Sequence, residues 1–175
     1  MSRLFGPLRQ MGFVVRDVEK AMRHWVEVCG VGPWFHARDA VLPDFTYRGA
    51  RHDGLRLSVA FANSGDVQIE LIQQLCGTPS MFRDFLAEGG GREGLQHWAA
   101  WPEDYDSLYR RAVAGGCTVG QEGTLGGGRF AYLATEGHPG TVVEIVERTP
   151  ARRSRAESIR AAALDWDGSD PVRPF

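Results

Sequence analysis

The chain contains an internal repeat, and this repeat limits the possible folds more than any other feature of the sequence. The segment from Gln10 to Asp17 is apolar and rich in residues that favour β-strands, and the segment from His97 to Asp104 repeats this arrangement. Each aspartate precedes a stretch with apolar residues at helical spacing, so both are expected to be helix N-caps. When Gln10 is aligned with His97, the copies stay in register through the helix without a gap. The sequence therefore predicts two copies of one folding unit.

Each copy continues with three predicted strands. In the first copy, residues 34–36 begin a strand, and the alternating segments 55–62 and 67–73 predict a hairpin. Residues 39–53 carry a proline, a glycine and several charges, and they predict a long loop. The second copy has its strands at 118–119, 129–134 and 141–147, with a turn at 136–140 between the last two.

These elements predict an α+β protein with two tandem βαβββ modules. The first module is expected at residues 1–77 and the second at residues 94–148. A helix that starts at Thr78-Pro79 would connect them within residues 78–93. Residues 149–175 form a predicted C-terminal helical tail. Its apolar residues at helical spacing would pack across the modules or against the partner in a homodimer: Ile159, Ala162, Ala163 and Trp166.

Composition excludes several classes of protein. The 175 residues have a formal net charge of -2 with both signs mixed, and this gives no reason to expect nucleic acid binding. No apolar run approaches the roughly 18 residues of a membrane span. Cys29, Cys76 and Cys117 are far apart, which predicts neither a disulfide framework nor a thiolate zinc site and favours a reducing cytoplasm.

Four polar residues occupy strand positions where they could meet. Glu144 is flanked on its strand face by valines two residues away on each side, and Glu70 holds the equivalent place in the first copy. A carboxylate on an apolar face costs several kcal/mol unless it is paired, protonated or bound to a metal. Gln10 and His97 begin the first strands of the two copies. If the copies pack about a pseudo-twofold axis, the four side chains can converge.

This set of one amide, one imidazole and two carboxylates suits a divalent first-row metal with room for water or a substrate oxygen. The two carboxylates would offset the charge of the ion. One of them could leave the metal and act as a base.

With these motifs, the chain resembles the vicinal oxygen chelate superfamily, which includes glyoxalase I, methylmalonyl-CoA epimerase, extradiol dioxygenases and bleomycin-resistance proteins. The resemblance covers residues 8–148 and rests on four segments: 10–17, 69–72, 94–99 and 139–145. It implies an open, cupped, mixed β-sheet around a divalent metal (Zn, Ni, Co, Mn or Mg). It also implies a small-molecule substrate bound through two neighbouring oxygens, or a thioester. The family's four ligand positions fall on Gln10, Glu70, His97 and Glu144.

The ligand set favours some members of the superfamily over others. A Gln, Glu, His, Glu set is similar to that of some glyoxalase I enzymes, whereas methylmalonyl-CoA epimerases usually have histidine where this chain has Gln10. Extradiol dioxygenases need two histidines and one carboxylate, and only His97 stands at a ligand position. The resemblance therefore implies a metal-dependent lyase or isomerase that abstracts a proton beside a carbonyl, with Glu144 or Glu70 as the base. The alternatives are a non-catalytic small-molecule binder of the resistance type and, third, a ring-cleaving dioxygenase.

Other residues are candidates for contact with substrate. Arg51, Arg129 and His52 could bind an anionic group. Some of the aromatic residues, which are core residues by default, could line a cavity, and three are taken as candidates here: Trp34, Phe61 and Tyr132. The residues do not separate a glutathione-dependent glyoxalase from an acyl-CoA epimerase.

Overall fold

A computed structural model describes residues 2–135, 137–138 and 141–175 of the chain. Pro139 and Gly140, which belong to the motif before Glu144, and Glu136 of the predicted turn lie outside the described residues. The strands are β1 (Gln10–Val14), β2 (Trp34–Leu42), β3 (Phe45–Tyr47), β4 (Ala50–His52), β5 (Leu55–Ser64), β6 (Val67–Gln74), β7 (Gly94–Ala100), β8 (Cys117–Leu125), β9 (Gly128–Thr135), β10 (Val142–Val146) and β11 (Val172–Pro174). The helices are α1 (Val18–Glu27), α2 (Met81–Glu88), α3 (Tyr105–Ala114) and α4 (Pro150–Ala163).

The described strands form one mixed sheet in the order β11-β2-β5-β6-β1-β7-β10-β9-β8-β3-β4. The sheet curls into a half-barrel, which confirms the predicted α+β fold with a cupped sheet and a C-terminal helix. Among the described residues, no helix is long and apolar enough to span a membrane.

The two copies of the repeat meet at the centre of the sheet, where β1 pairs with β7 in antiparallel fashion. Gln10 lies opposite Ala99, and Gly12 lies opposite His97, so exchanging the copies reproduces the same pairs. The parallel neighbours obey the same symmetry, because Glu70 lies opposite Gly12 and Glu144 lies opposite Ala99. The predicted alignment of Gln10 with His97 therefore matches the register of the sheet.

The two aspartates of the repeat cap equivalent helices. Asp17 accepts a hydrogen bond from the backbone N–H of Lys20 at 2.9 Å, at the start of α1. Asp104 accepts one from the N–H of Ser107 at the same distance, at the start of α3. A side-chain oxygen at this position satisfies a backbone donor that the helix itself leaves free. These caps direct each helix back across the outer face of its own module.

The outer face of the sheet holds two apolar cores. In the first module, α1 packs Val18 and Met22 against a cluster that includes Trp34 and Leu71. In the second module, α3 packs Leu108 against a cluster that includes Ile145. Side chains of successive strand residues point to opposite faces of the sheet. Leu71 and Ile145 are buried on the outer face, so their neighbours Glu70 and Glu144 point toward the inner face.

The inner face is apolar at one end, where α2 covers it. Phe82 of α2 packs edge-to-face on Tyr132, with ring centroids 5.5 Å apart, within a third core cluster. The sequence predicted that this helix starts at Thr78-Pro79. It starts instead at Met81, because the side chain of Ser80 caps it by accepting from the N–H of Arg83 at 3.2 Å.

The prediction of a long loop at residues 39–53 is wrong in part, because much of this segment forms strands. β2 continues to Leu42, and the short strands β3 and β4 form a hairpin. Arg48 and Gly49 both have positive φ, at 47° and 78°, which is what a two-residue hairpin turn requires. β3 then pairs with β8, so part of the first module forms the far edge of the second.

The C-terminal tail also differs from its prediction. α4 ends at Ala163, and Trp166 lies beyond it, where its ring contacts the backbone of Gly32 so closely that a Cβ there would come within 2.5 Å. The chain then returns to the sheet, and β11 pairs in parallel with β2. Of the tail residues at helical spacing, Ile159 is the buried one on α4.

Candidate metal centre and substrate cavity

Three side chains from the two modules converge at the centre of the cup. The His97 Nε2 atom lies 3.4 Å from Glu70 Oε2 and 3.6 Å from Glu144 Oε2. One ligand atom from each residue lies within 4.8 Å of the others, a spacing that could hold a metal ion. The three residues are 2%, 8% and 7% exposed, respectively, so solvent does little to weaken their interaction.

Gln10 approaches this cluster from the neighbouring strand. Its Nε2 donates to Oε1 of Gln68 at 2.9 Å, and both residues are buried. That hydrogen bond leaves the Oε1 atom of Gln10 without a partner among the described residues. A metal ion would require this carbonyl oxygen, not the nitrogen, as a ligand.

The orientation of His97 is fixed on three sides. Its Nδ1 lies 2.7 Å from Oε1 of Gln96, an acceptor that holds a proton on Nδ1, so Nε2 is the atom that could bind a metal once it loses its own proton. The ring of Tyr132 packs against the imidazole, with centroids 4.7 Å apart. On the remaining side lies Gly12, where a Cβ would come within 1.8 Å of the ring. Only glycine leaves room for the imidazole here.

Burial and mutual charge shift the ionisation of the cluster. Burial raises the pKa of Glu70, and the negative charge of Glu144 adds to this, although His97 partly opposes it. Burial by itself would lower the pKa of His97, but the adjacent carboxylates of Glu144 and Glu70 outweigh it and raise the pKa to about 9. Burial and the charge of Glu144 also raise the pKa of the Tyr132 hydroxyl well above its usual value.

The donor set fits a divalent metal. Within the described part of the chain, Gln10 Oε1, Glu70 Oε2 and His97 Nε2 are all buried without a hydrogen-bond partner. Leaving a buried polar group unpaired costs about 1–3 kcal/mol. His97 Nε2 faces both carboxylates in the metal-free protein, whereas Gln10 Oε1 has no partner among the described residues, and a bound cation would provide one for all three atoms. An ion that prefers nitrogen and oxygen ligands suits these atoms.

A cavity of about 520 Å³ opens from this cluster toward α4. Its walls include Gln10, Glu70 and Glu144 from the sheet and Ile159 from the helix. The guanidinium of Arg152 anchors α4 by donating to four backbone carbonyls, those of Leu125, Gly128, Arg129 and Glu147. The volume is in the range of small-molecule sites, which is roughly 300–1,000 Å³.

The structure brings two of the predicted substrate contacts near the cluster. Phe61 lines the cavity and lies opposite Glu70 in the sheet. Tyr132 lies opposite Glu144 and packs on His97.

The other predicted contacts lie elsewhere. Trp34 is fully buried on the outer face beneath α1. Arg51 and Arg129 line a separate cavity of about 330 Å³ between α3 and the far edge of the sheet. Arg51 pairs there with Asp44, and Arg129 pairs with Asp106 and Glu147. His52 sits on the same far edge, in β4.

Sequence reasoning missed three residues that support the cluster. Gln68 orients the amide of Gln10, Gln96 orients His97, and Gly12 makes room for the ring. For Gly12 a signal was present, because a small residue stands two positions after the first candidate ligand in each copy, as Gly12 after Gln10 and as Ala99 after His97.

Comparison with known proteins agrees with this geometry. A family model described as the glyoxalase/bleomycin resistance protein/dioxygenase superfamily matches residues 9–132, which is more than half of the chain. A search of curated proteins found no match. A cupped sheet of paired βαβββ modules with polar side chains at its centre defines the class of this protein. The chain belongs to the glyoxalase/bleomycin resistance protein/dioxygenase superfamily.

Solved structures share the fold at low sequence identity. Methylmalonyl-CoA epimerase from Mycobacterium tuberculosis is 19% identical with a TM-score of 0.57, and the match covers 88% of this chain and 95% of that one. A hypothetical protein from Bacillus halodurans is 18% identical with a TM-score of 0.61 and coverages of 82% and 94%. A Streptomyces coelicolor methylmalonyl-CoA epimerase variant in complex with 2-nitronate-propionyl-CoA is 19% identical with a TM-score of 0.56 and coverages of 82% and 95%.

Proposed function

We propose that the protein is a metal-dependent lyase or isomerase, of the glyoxalase or epimerase type, that removes a proton from the carbon beside a carbonyl group. The observation that carries the proposal is the convergence of Glu70, His97 and Glu144, buried at the floor of a cavity of small-molecule size. The proposal is also supported by the epimerases that share this fold.

Four residues would hold the metal: Gln10 through its amide oxygen, His97 through Nε2, and Glu70 and Glu144 through their carboxylates. A divalent ion bound there would act as a Lewis acid on the substrate carbonyl and increase the acidity of the neighbouring carbon. Glu70 and Glu144 are buried where they line the cavity, so their charges would act on the substrate with little screening.

Glu144 is the proposed base. Its carboxylate lines the cavity and takes the proton from the substrate carbon, then returns it to the same or to a neighbouring position. Glu70, on the other side of His97, is the second carboxylate that could carry the proton. Gln96 and Tyr132 keep the imidazole in one orientation during this transfer.

The test is solvent-deuterium exchange into a panel of hemithioacetals, 2-oxo acids and thioesters. We expect wild-type protein loaded with metal to catalyse exchange into at least one compound and the Glu144→Gln variant to lose it while the fold is retained. Glu27→Gln, a change on the outer helix α1, is the matched control and should exchange like wild type. Exchange that survives in Glu144→Gln removes Glu144 as the base.

Metal analysis separates this proposal from a non-catalytic binder. Purified protein should contain a stoichiometric divalent metal that the His97→Ala variant lacks. Persistent absence of metal from wild-type protein grown with Zn, Ni, Co and Mn would instead favour a binding role.

A further inference from the structure

The walls of the substrate cavity carry an excess of positive charge. Glu70 and Glu144 belong to the proposed metal set, and the ion would offset their charge. The remaining charged lining residues are six arginines and three carboxylates: Arg9, Arg148, Arg152, Arg153, Arg155 and Arg160, with Asp66, Glu147 and Glu157.

Some of these arginines already have partners. Arg160 pairs with Asp66 at 2.6 Å, and Arg152 is committed to four backbone carbonyls. Arg155 lies over the ring of Phe175 at 4.4 Å. These three residues have structural contacts that account for their positions.

The other three arginines form a cluster at one side of the cavity. Arg9 precedes β1, Arg148 follows β10, and Arg153 lies in the first turns of α4. Arg148 and Arg153 share one carboxylate, that of Glu103, which is 77% exposed and therefore well screened by solvent. Within the described part of the chain, the side chain of Arg9 forms no hydrogen bond or ion pair.

The charges in this cluster repel one another. Burial lowers the pKa of Arg148, and the positive charges of Arg153 and Arg9 lower it further, although Glu157 offsets part of the effect. The single carboxylate of Glu103 offsets only part of the positive charge of these guanidinium groups, so an additional anion among them would be stabilised. Their planar donors suit the oxygens of a phosphate or a carboxylate.

We propose that Arg9, Arg148 and Arg153 form a subsite for an anionic group of the substrate, a phosphate or a carboxylate, beside the cavity that ends at Glu70 and Glu144. The substrate is then a carbonyl compound that also carries a negatively charged group away from the reacting carbon. This assignment of a substrate class rests on the proposed function, whereas the binding of an anion by the arginines does not.

The experiment is calorimetric titration of the full-length protein with adenosine 3′,5′-bisphosphate and, separately, with malonate. The first probe represents the phosphates of an acyl carrier, and the second represents a small dicarboxylic acid. We expect saturable binding of one of them and a Kd at least tenfold higher in Arg9→Gln and in Arg153→Gln. Arg23→Gln, which removes the same charge from the outer helix α1, is the control and should bind like wild type.

The two probes distinguish the two sources of the anionic group, and either one supports the subsite. Absence of saturable binding by wild-type protein for both probes, or a Kd that changes no more in Arg9→Gln and Arg153→Gln than in Arg23→Gln, would overturn the proposal. Binding should persist in Glu144→Gln, so anion binding without proton exchange would refute the proposed reaction alone. Thermal melts of all variants show whether they are folded.

Discussion

At the scale of single residues, the candidate site depends on a glycine as much as on its polar side chains. The imidazole of His97 occupies the space where any other residue at position 12 would place its Cβ. Glu70 lies on the other side of Gly12 in the sheet, so the same position separates two proposed ligands. A methyl group there would push the ring away from the carboxylates.

We therefore expect Gly12→Ala to lower the metal content of the purified protein at least tenfold, because the ring must move by more than an ångström and ligand geometry is lost. Metal content by mass spectrometry is the measurement. Gly77→Ala is the control, since an added Cβ at Gly77 meets nothing within 4 Å. Equal metal content in both variants would show that His97 is not needed for binding.

The ionisation of His97 leads to a prediction about protons. In the metal-free protein the adjacent carboxylates outweigh the effect of burial and raise its pKa to about 9, so the imidazole is protonated at neutral pH. A metal ion must displace that proton, and binding should release about one proton near pH 7.5 and weaken as the pH falls. Calorimetry in two buffers of different ionisation enthalpy counts the protons released. Release of none would contradict the protonated state.

The strand positions of the four candidate ligands could be predicted from the sequence because two simple rules apply to them. Strand alternation turns Glu70 and Glu144 inward, and the repeat pairs Gln10 with His97. The positions of Arg51 and Arg129 could not be predicted from the sequence, because their partners, such as Asp44 and Asp106, come close to them only in the folded chain.

At the scale of elements, Arg152 makes the hydrogen bonds that tie the start of α4 to the sheet. All the terminal N–H groups of Arg152 are directed at backbone carbonyls at distances of 2.5–3.3 Å. These carbonyls belong to the end of β8, the start of β9 and the residue that follows β10. Lysine keeps the charge but cannot reproduce this planar fork.

We expect Arg152→Lys to weaken the docking of α4 by about 1–3 kcal/mol, the cost of leaving buried polar groups unpaired. Hydrogen–deuterium exchange should then accelerate in residues 150–163 and remain unchanged in α1. Arg155→Lys, which affects a guanidinium that stacks on Phe175, serves as the control. Unchanged protection of α4 in Arg152→Lys would mean that the apolar contacts of Ile159 are sufficient.

A second prediction at this scale concerns acid stability. Arg129 joins α3 to the end of β10 and holds the pKa of Glu147 at about 2, well below its ordinary 4.5. A carboxylate whose pKa is lower in the folded than in the unfolded chain stabilises the fold. This stabilisation is complete when the pH is above the pKa of the unfolded chain, and it is lost as the pH falls toward 2. The difference in unfolding free energy between wild type and Glu147→Gln should therefore shrink as the pH falls from about 5 to about 2. Chemical denaturation at several pH values measures this difference, and a constant difference would refute it.

The elements that the sequence did not predict are those with distant partners. β3 and β4 have only three residues each, too few for a reliable alternation pattern, and β3 is stabilised by β8 of the other module. β11 is equally short and pairs with β2, more than a hundred residues earlier in the chain. The longer periodic segments and the capped helices were predictable because their signals are local.

At the scale of the whole molecule, the two modules share one sheet and one site. β1 and β7 pair along their length, and the proposed metal would take ligands from both modules. The hairpin of β3 and β4 adds a second connection at the far edge of the sheet.

We expect the modules to unfold together in one transition, with equal calorimetric and van 't Hoff enthalpies, because neither keeps its sheet neighbours without the other. Added metal should raise the Tm in proportion to the logarithm of its concentration, since it binds only the folded chain. His97→Ala should show no such rise. Two separate transitions in the scan would contradict shared folding.

The hydrogen bond between Gln10 and Gln68 has a consequence for how the pocket recognises a ligand. In the second module the position equivalent to Gln68 is Val142, so the amide pair exists on one side of the twofold axis only. A fully symmetric pocket would accept a molecule equally well in either direction. Here one side of the pocket presents an amide and the other an imidazole, so its two ends are chemically different. A small asymmetric molecule can therefore bind in one direction, which a stereospecific enzyme needs.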